Sequence, residues 1–310
     1  MIVCRSLCKA YGQFMAIENI DLVVEKGDTF GFIGPNGAGK TTTMQILSTL
    51  LEPTSGEAKV GGYSVVEYPD EIRKLLGYMP DQFGVYDGMK VWEYLDFFAG
   101  AYRLPKSARA QSVSDVLELT ELSQKREFFV EALSTGMRQR LCLAKTLLHD
   151  PQVLILDEPA SGLDPRARIE MRELLKELTR MGKTIMISSH ILPELADFCN
   201  RIGVIEAGKL ITAGRVDDIM DSLQAGRRIT VKLLKNTTQA AEWLQDQQHV
   251  SGIDFEEGRS TIAFEFSGEL EELALLSQHL AEPNYGLIGF EEEKTDLEDI
   301  FLKVTEGIVR

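Results

Sequence analysis

The sequence predicts an α/β domain followed by a small, acidic α+β domain. Texture is the first reason: over residues 1–215, short β-branched runs alternate with helical patterns, as a sheet covered on both faces requires. Charge is the second. The chain carries 33 Lys and Arg against 48 Asp and Glu, a net charge of −15, and the stretch from Val216 to Arg310 holds 20 acidic residues against 8 basic ones. We place the boundary at 225/226. The first domain is then 1–225, with a helical subdomain at about 83–148, and the second an accessory domain of 226–310.

Within the first domain, strands are expected from Thr29 to Ile33, Val153 to Leu156 and Thr184 to Ile187, with a helix running from the first of these to about Leu51. A helical region is expected from Val91 to about Leu119. The second domain reads as strand (Arg228 to Leu234), helix (Thr237 to Gln247) and strand (Ser251 to Glu256). Strand (Thr261 to Phe266), helix (Glu269 to Leu280) and strand (Leu287 to Phe290) follow. That β-α-β-β-α-β order predicts a ferredoxin-like sandwich. A last helix carries Leu297, Ile300, Phe301 and Val304 on one face and starts at a Thr295-x-x-Glu298 capping box.

Composition narrows the function classes. No run approaches the roughly 18 apolar residues of a membrane span, so an integral membrane protein is not expected. Met1 to Arg5 leads into folded-looking sequence with no leader pattern or lipidation motif, so a cytosolic location is expected. Cys4, Cys8, Cys142 and Cys199 are too few and scattered for a disulfide framework and form no zinc spacing; they read as reduced packing residues. A pI near 4.8 argues against a nucleic-acid partner.

The first residues with chemistry are Gly34-Pro35-Asn36-Gly37-Ala38-Gly39-Lys40-Thr41-Thr42, which follow a predicted strand and open a predicted helix. This is the G-x-x-x-x-G-K-[ST] phosphate loop in its proper context. Its glycines let successive backbone N–H groups curl around a phosphate at a helix N-terminus. Lys40 reaches the β- and γ-phosphates and the Thr41 hydroxyl ligates Mg²⁺. A chance match to the fixed positions would occur in roughly one chain of this length in a hundred, before context is demanded.

Val153 to Leu156 is an apolar strand ending in Asp157-Glu158-Pro159. Strand alternation is expected to point the two carboxylates apart. Asp157 can then hold Mg²⁺ while Glu158 faces the attacking water, orients it and takes its proton.

Leu133-Ser134-Thr135-Gly136-Met137-Arg138-Gln139-Arg140 opens another helix, with Ser134 lying 23 residues before Asp157. A Ser hydroxyl and a glycine N–H at a helix start can serve as an ordinary cap or a second anion site. The octapeptide resembles the signature sequence of ATP-binding cassette (ABC) proteins, normally Leu-Ser-Gly-Gly-Gln. Ser161-Gly162-Leu163-Asp164 resembles the family's D-loop, and Asp164-Pro165 also reads as a helix start. His190 resembles the switch histidine that contacts the γ-phosphate. Tyr11 matches the aromatic that stacks on adenine. The resemblance spans residues 1 to about 225, and the fold it implies is an ABC-type P-loop ATPase domain with a helical subdomain.

Two departures stand out. Thr135 and Met137 replace the usual Gly and Gln of the signature, leaving Ser134 and the Gly136 amide to meet the phosphate. At the Q-loop, Asp81 occupies the family's Gln position and Gln82 follows it, so either is a candidate to reach Mg²⁺ or water. Beyond it, the run from Phe83 to Met89 leads to Trp92, Tyr94 and Phe97, which read either as a partner-gripping surface or as core of the helical subdomain.

The resemblance implies an ATP-hydrolysing subunit, with ATP and Mg²⁺ as cofactors, that drives a separately encoded membrane permease, with export suggested by the signature variant and the C-terminal Leu297-Glu298-Asp299-Ile300-Phe301-Leu302. Two cassettes, expected to be two copies of this chain, would pair head to tail and sandwich each ATP between one phosphate loop and the opposite Ser134. The location implied is cytoplasmic, peripheral on the inner face of the membrane. The alternative is a soluble ABC ATPase acting on a non-membrane macromolecule, which a single cassette and net −15 disfavour.

Overall fold

The computed structural model describes residues 1–82, 84, 88–190, 195, 198–223, 227–256 and 259–292. The predicted last helix and most of the run from Phe83 to Met89 lie outside the described residues. The chain divides into two compact units between Val216 and Asp217, where the charge changes and ahead of the expected 225/226 boundary, with the helix Val216–Leu223 starting at the junction.

In the first unit, an antiparallel sheet is built from β1 (Ile2–Tyr11), β2 (Phe14–Val24), β4 (Ser55–Val60) and β5 (Tyr63–Ser64), in the order β2-β1-β4-β5. A second sheet has the order β10-β9-β3-β8-β7-β6, from β10 (Lys209–Arg215), β9 (Arg201–Glu206), β3 (Thr29–Ile33), β8 (Thr184–Ser189), β7 (Val153–Leu156) and β6 (Leu76–Met79). All but β10 run parallel. β3 and β7 are buried at every position, as strands covered on both faces must be. The parallel order brings the C-terminal ends of β3, β8, β7 and β6 side by side.

Helix α1 (Lys40–Leu47) leaves β3 through the glycine loop and ends before the expected Leu51, with Thr49 left-handed at φ 60°. Its Met44 and Ile46 share a core with Ile20 of β2, Phe32 of β3 and Ile155 of β7. The expected helical region from Val91 to Leu119 is two helices, α3 (Val91–Ala101) and α4 (Lys106–Leu119), numbered after α2 (Pro69–Leu75). Arg103 takes the left-handed conformation that closes a helix (φ 62°), and Pro105 holds Leu104 extended. Tyr94 is core, at 1% exposure, whereas Phe97 is half exposed, so the aromatic run divides between the two readings. Helices α5 (Thr135–Leu147) and α6 (Pro165–Arg180) are the remaining larger helices among this unit's described residues.

In the second unit, β11 (Arg227–Leu233), helix Thr237–Gln245, β12 (Val250–Phe255), β13 (Thr261–Phe266), helix Leu270–Leu280 and β14 (Leu287–Glu292) follow the expected order. The sheet order β12-β13-β11-β14, antiparallel throughout, is ferredoxin-like. Ile229, Val231, Phe264 and Phe266 from the strands and Leu244, Leu276 and Leu280 from the helices form its core. Each helix thus buries one stripe against a single sheet face.

Candidate nucleotide site

The phosphate loop joins the end of β3 to the start of α1. Gly34 passes so close to β9 that a Cβ there would lie 2.2 Å from the Ile205 carbonyl oxygen. Gly39, the N-cap of α1, has φ 106°, a conformation L side chains rarely adopt. The turn after β9 clips the loop from outside: the Gly208 N–H donates to the Ala38 carbonyl at 3.0 Å, and the Glu18 N–H of β2 donates to the Gly208 carbonyl at 2.7 Å. Asn36 and Gly37 form the exposed rim, Pro35 is half-buried, and Thr41 and Thr42 sit in the first turn of α1 with Thr41 exposed.

Lys40 is 6% exposed and folds back into the loop. Its Nζ donates to the Gly34 carbonyl at 2.5 Å and the Pro35 carbonyl at 3.2 Å, and lies 3.5 Å from Glu158 Oε1. Burial lowers its pKa from the ordinary lysine value, opposed by the carboxylates of Glu158, Asp157 and Asp81. The ammonium is thus held inside the loop by two loop carbonyls and the Glu158 carboxylate.

β7 ends at Leu156, so strand alternation is not what separates the two carboxylates. Glu158 is left-handed, φ 49°, and the two carboxylates take different partners, Ser188 for Asp157 and Lys40 and His190 for Glu158. The conformation is held by the Glu158 N–H, which donates to Ser188 Oγ at 2.9 Å, and by the Glu158 carbonyl, which accepts from the Ser161 N–H at 3.0 Å. The Ser188 hydroxyl in turn donates to Asp157 Oδ1 at 2.6 Å. Ser188 is a residue that sequence reasoning missed. The available signal was a pair of serines closing an apolar strand just before His190.

Asp157 is fully buried, and its Oδ2 has no hydrogen-bond partner. A buried orphan carboxylate oxygen beside a phosphate loop is the donor a hard divalent cation requires, so the residues present fit Mg²⁺. Glu158 Oε2 lies 2.9 Å from His190 Nδ1, which donates to it because an ionised carboxylate only accepts. His190 follows β8 directly and is 43% exposed, its ring at the mouth of the site. Asp81 follows β6, whose Met79 carbonyl accepts from the Asp157 N–H at 2.8 Å. Its pKa is raised from the ordinary aspartate value by desolvation and by the carboxylates of Asp157 and Glu158, with His190 and Lys40 acting the other way. Gln82 is exposed.

The structure therefore gathers Lys40, Asp157, Glu158, His190 and Asp81 at the ends of four adjacent strands. Three other predicted residues are separate from this cluster. Ser134 caps α5, its hydroxyl accepting from the Met137 N–H at 3.3 Å, and is exposed, with Gly136 half-buried beside it. Tyr11 is 48% exposed at the end of β1, with the Lys9 ammonium 5.4 Å from its ring centroid.

Comparison with known proteins agrees with this geometry. The family model described as ABC transporter matches residues 17–161. Over 307 residues the chain is 32% identical to the ABC transporter ATP-binding protein YxlF of Bacillus subtilis, covering 99% of this chain and all of that protein. The chain belongs to the ABC transporter ATP-binding protein family. This ABC protein carries the family's ATP-binding cassette. It is also 39% identical over 219 residues to the probable multidrug ABC transporter ATP-binding protein YbhF of Escherichia coli, matching 71% of this chain but only 38% of that protein's length. A Nod factor export ATP-binding protein I of Cupriavidus metallidurans is 38% identical over 218 residues, 70% of this chain and 72% of that one. Among solved structures, an ATP-binding subunit of an ABC transporter superposes with a TM-score of 0.65 at 29% identity, over 72% of this chain and 92% of that one. The dimeric bacterial cassette MJ0796 superposes at 0.64 and 25% identity, over 70% and 99%.

Proposed function

We propose that this ABC ATPase drives an export permease carried on separate polypeptides, through ATP-dependent pairing of two cassettes at the inner face of the membrane. The observation that carries the catalytic part is the Lys40–Glu158–His190 chain, with contacts of 3.5 and 2.9 Å at the end of the parallel sheet. Relatives named for multidrug and Nod factor export support the direction of transport. A dimeric cassette among the structural neighbours supports pairing. Among the described residues no helix is long and apolar enough to cross a membrane, and a permease on separate polypeptides is the reading for the spans.

In this reading the γ-phosphate of ATP takes Lys40 from Glu158, and the released carboxylate faces the water. Glu158 orients that water and accepts its proton as the phosphoryl group leaves. His190, held by Glu158 through Nδ1, presents Nε2 toward the γ-phosphate. Asp157, Thr41 and Asp81 would hold Mg²⁺, which when bound neutralises charge on the phosphates. Ser188 fixes Asp157 and the strained Glu158 turn in one geometry, so neither has to reorganise. Tyr11 offers its exposed ring to adenine, and Ser134 with the Gly136 amide meets the partner cassette's ATP. The acidic C-terminal unit serves pairing or its regulation.

Isolation of the tagged chain from membranes of its own cell, with phosphate release measured on the isolated complex, tests this. An integral membrane protein should co-purify, and Lys40→Ala should abolish release. Recovery from the soluble fraction on a ribosome or another non-membrane particle would favour the alternative.

A further inference from the structure

Helix α5, which carries Ser134 at its N-cap, and helix α6, which begins at the D-loop residue Asp164, face one another in two layers one turn apart. In the first layer, Gly136 sits so near α6 that a Cβ would meet the Ala167 Cβ at 3.2 Å and Leu163 Cδ2 at 3.7 Å. In the second, Arg140 lies one helical turn beyond Gly136 and donates from Nη2 to Glu170 Oε2. Its Nη1 donates to Glu121 Oε2 at 2.6 Å and reaches the Thr120 carbonyl, at the C-cap of α4, at 3.5 Å. The Arg140 side chain is 11% exposed, and this guanidinium is held by groups from two other segments, the end of α4 and α6. Glu170 is anchored from its other oxygen by Arg166 at 3.1 Å, one turn back along α6.

We infer that Arg140 is a positioning residue that locks the signature helix to the D-loop helix, so that Ser134 and Ser161-Gly162-Leu163-Asp164 are offered to the partner cassette's nucleotide as one rigid jaw. The inference rests on the pairing of cassettes proposed above. Arg140 lies six residues from Ser134 on a continuous helix, so a change in the tilt of α5 against α6 displaces the capping hydroxyl and the Gly136 amide together. A planar guanidinium gripping carboxylates from two segments resists such tilting in a way a lysine ammonium, as a point charge, does not. The clasp makes no contact with the chain's own phosphate loop. Its loss should therefore spare binding of nucleotide to one cassette and weaken the step in which two cassettes close.

The test uses the full chain carrying Glu158→Gln, with Arg140→Ala, Arg140→Lys, Glu170→Gln and the Arg140→Ala/Glu170→Gln pair built on it. ADP affinity is read by fluorescent-nucleotide displacement, dimer formation against ATP concentration by light scattering, and amide exchange of residues 135–139 by mass spectrometry. Arg140→Ala should raise the ATP concentration for half-maximal dimer at least tenfold and speed exchange in the first turns of α5, with ADP affinity within twofold. Arg140→Lys should recover only part of the loss, and the double variant should be no worse than Arg140→Ala alone. An unchanged dimerisation curve, or an equal loss of ADP affinity, overturns the inference. If the Glu158→Gln parent fails to dimerise, it is the pairing reading that fails. The clasp is then judged by exchange alone, and unchanged protection of residues 135–139 in Arg140→Ala overturns it.

Discussion

Replacing Glu158 by Gln separates binding from chemistry, because the carboxylate has two jobs in this geometry. It pairs with Lys40 at 3.5 Å, both groups being largely shielded from water. At an effective dielectric of about 20, unit charges at that distance attract by about 4–5 kcal/mol, much of it offset by the cost of desolvating both. ATP has to take Lys40 out of this pair, so the carboxylate competes with the phosphate. A neutral amide removes the competitor while Lys40 keeps its two loop carbonyls. ATP affinity should accordingly hold or tighten, by up to about tenfold, equivalent to about 1.4 kcal/mol. Turnover should fall by about 10²–10⁴, the range set by losing a positioned general base. Titration calorimetry with Mg-ATP, phosphate release and light scattering read the three quantities, and the expected product is a long-lived dimer. Weakened ATP binding with proportionate loss of turnover would refute the argument, since it would mean that Glu158 holds the loop together rather than acting on water.

Gly34→Ala should destabilise by about 1–3 kcal/mol or more, since its Cβ meets the rigid Ile205 carbonyl at 2.2 Å; melting should drop by about 2–4 °C per kcal/mol, and an unchanged melting temperature would show that the loop and β9 can part freely. Asp81→Ala should lower Mg-dependent phosphate release more than Gln82→Ala, with activity of both variants at several Mg²⁺ concentrations deciding between them. Asp81→Asn should show the sign of the aspartate's raised pKa. A group that binds its proton more tightly when folded loses stability as pH rises through its titration, so this variant should melt higher than the parent at pH 7, with the gap closing toward pH 4.

The sequence by itself determined the parts of this protein whose chemistry is local. A phosphate loop, an apolar strand ending in Asp157-Glu158 and a Ser134 helix cap are each written in consecutive residues, and strand or helix periodicity tells which element carries them. The order of elements in the C-terminal unit was legible for the same reason: its strands and helices alternate with clean polar breaks, and only their ends shifted by a residue or two. Tertiary structure decided the rest. Glu158 and Asp157 take different partners at a left-handed turn, pinned by a serine from the next strand, rather than through the expected alternation. Gly34 is glycine for the sake of β9, some 170 positions away in the chain. Arg140 finds Glu170 and Glu121 only when three helical segments converge. Tyr94 and Phe97, three residues apart on one helix, fall to core and surface because packing partners, not composition, decide which side of α3 is covered. For the catalytic carboxylates the physical reason is the parallel sheet order β3-β8-β7-β6, which sets the ends of distant segments side by side, and for the rest it is packing between segments far apart in the chain; neither leaves a mark in the spacing of any one segment.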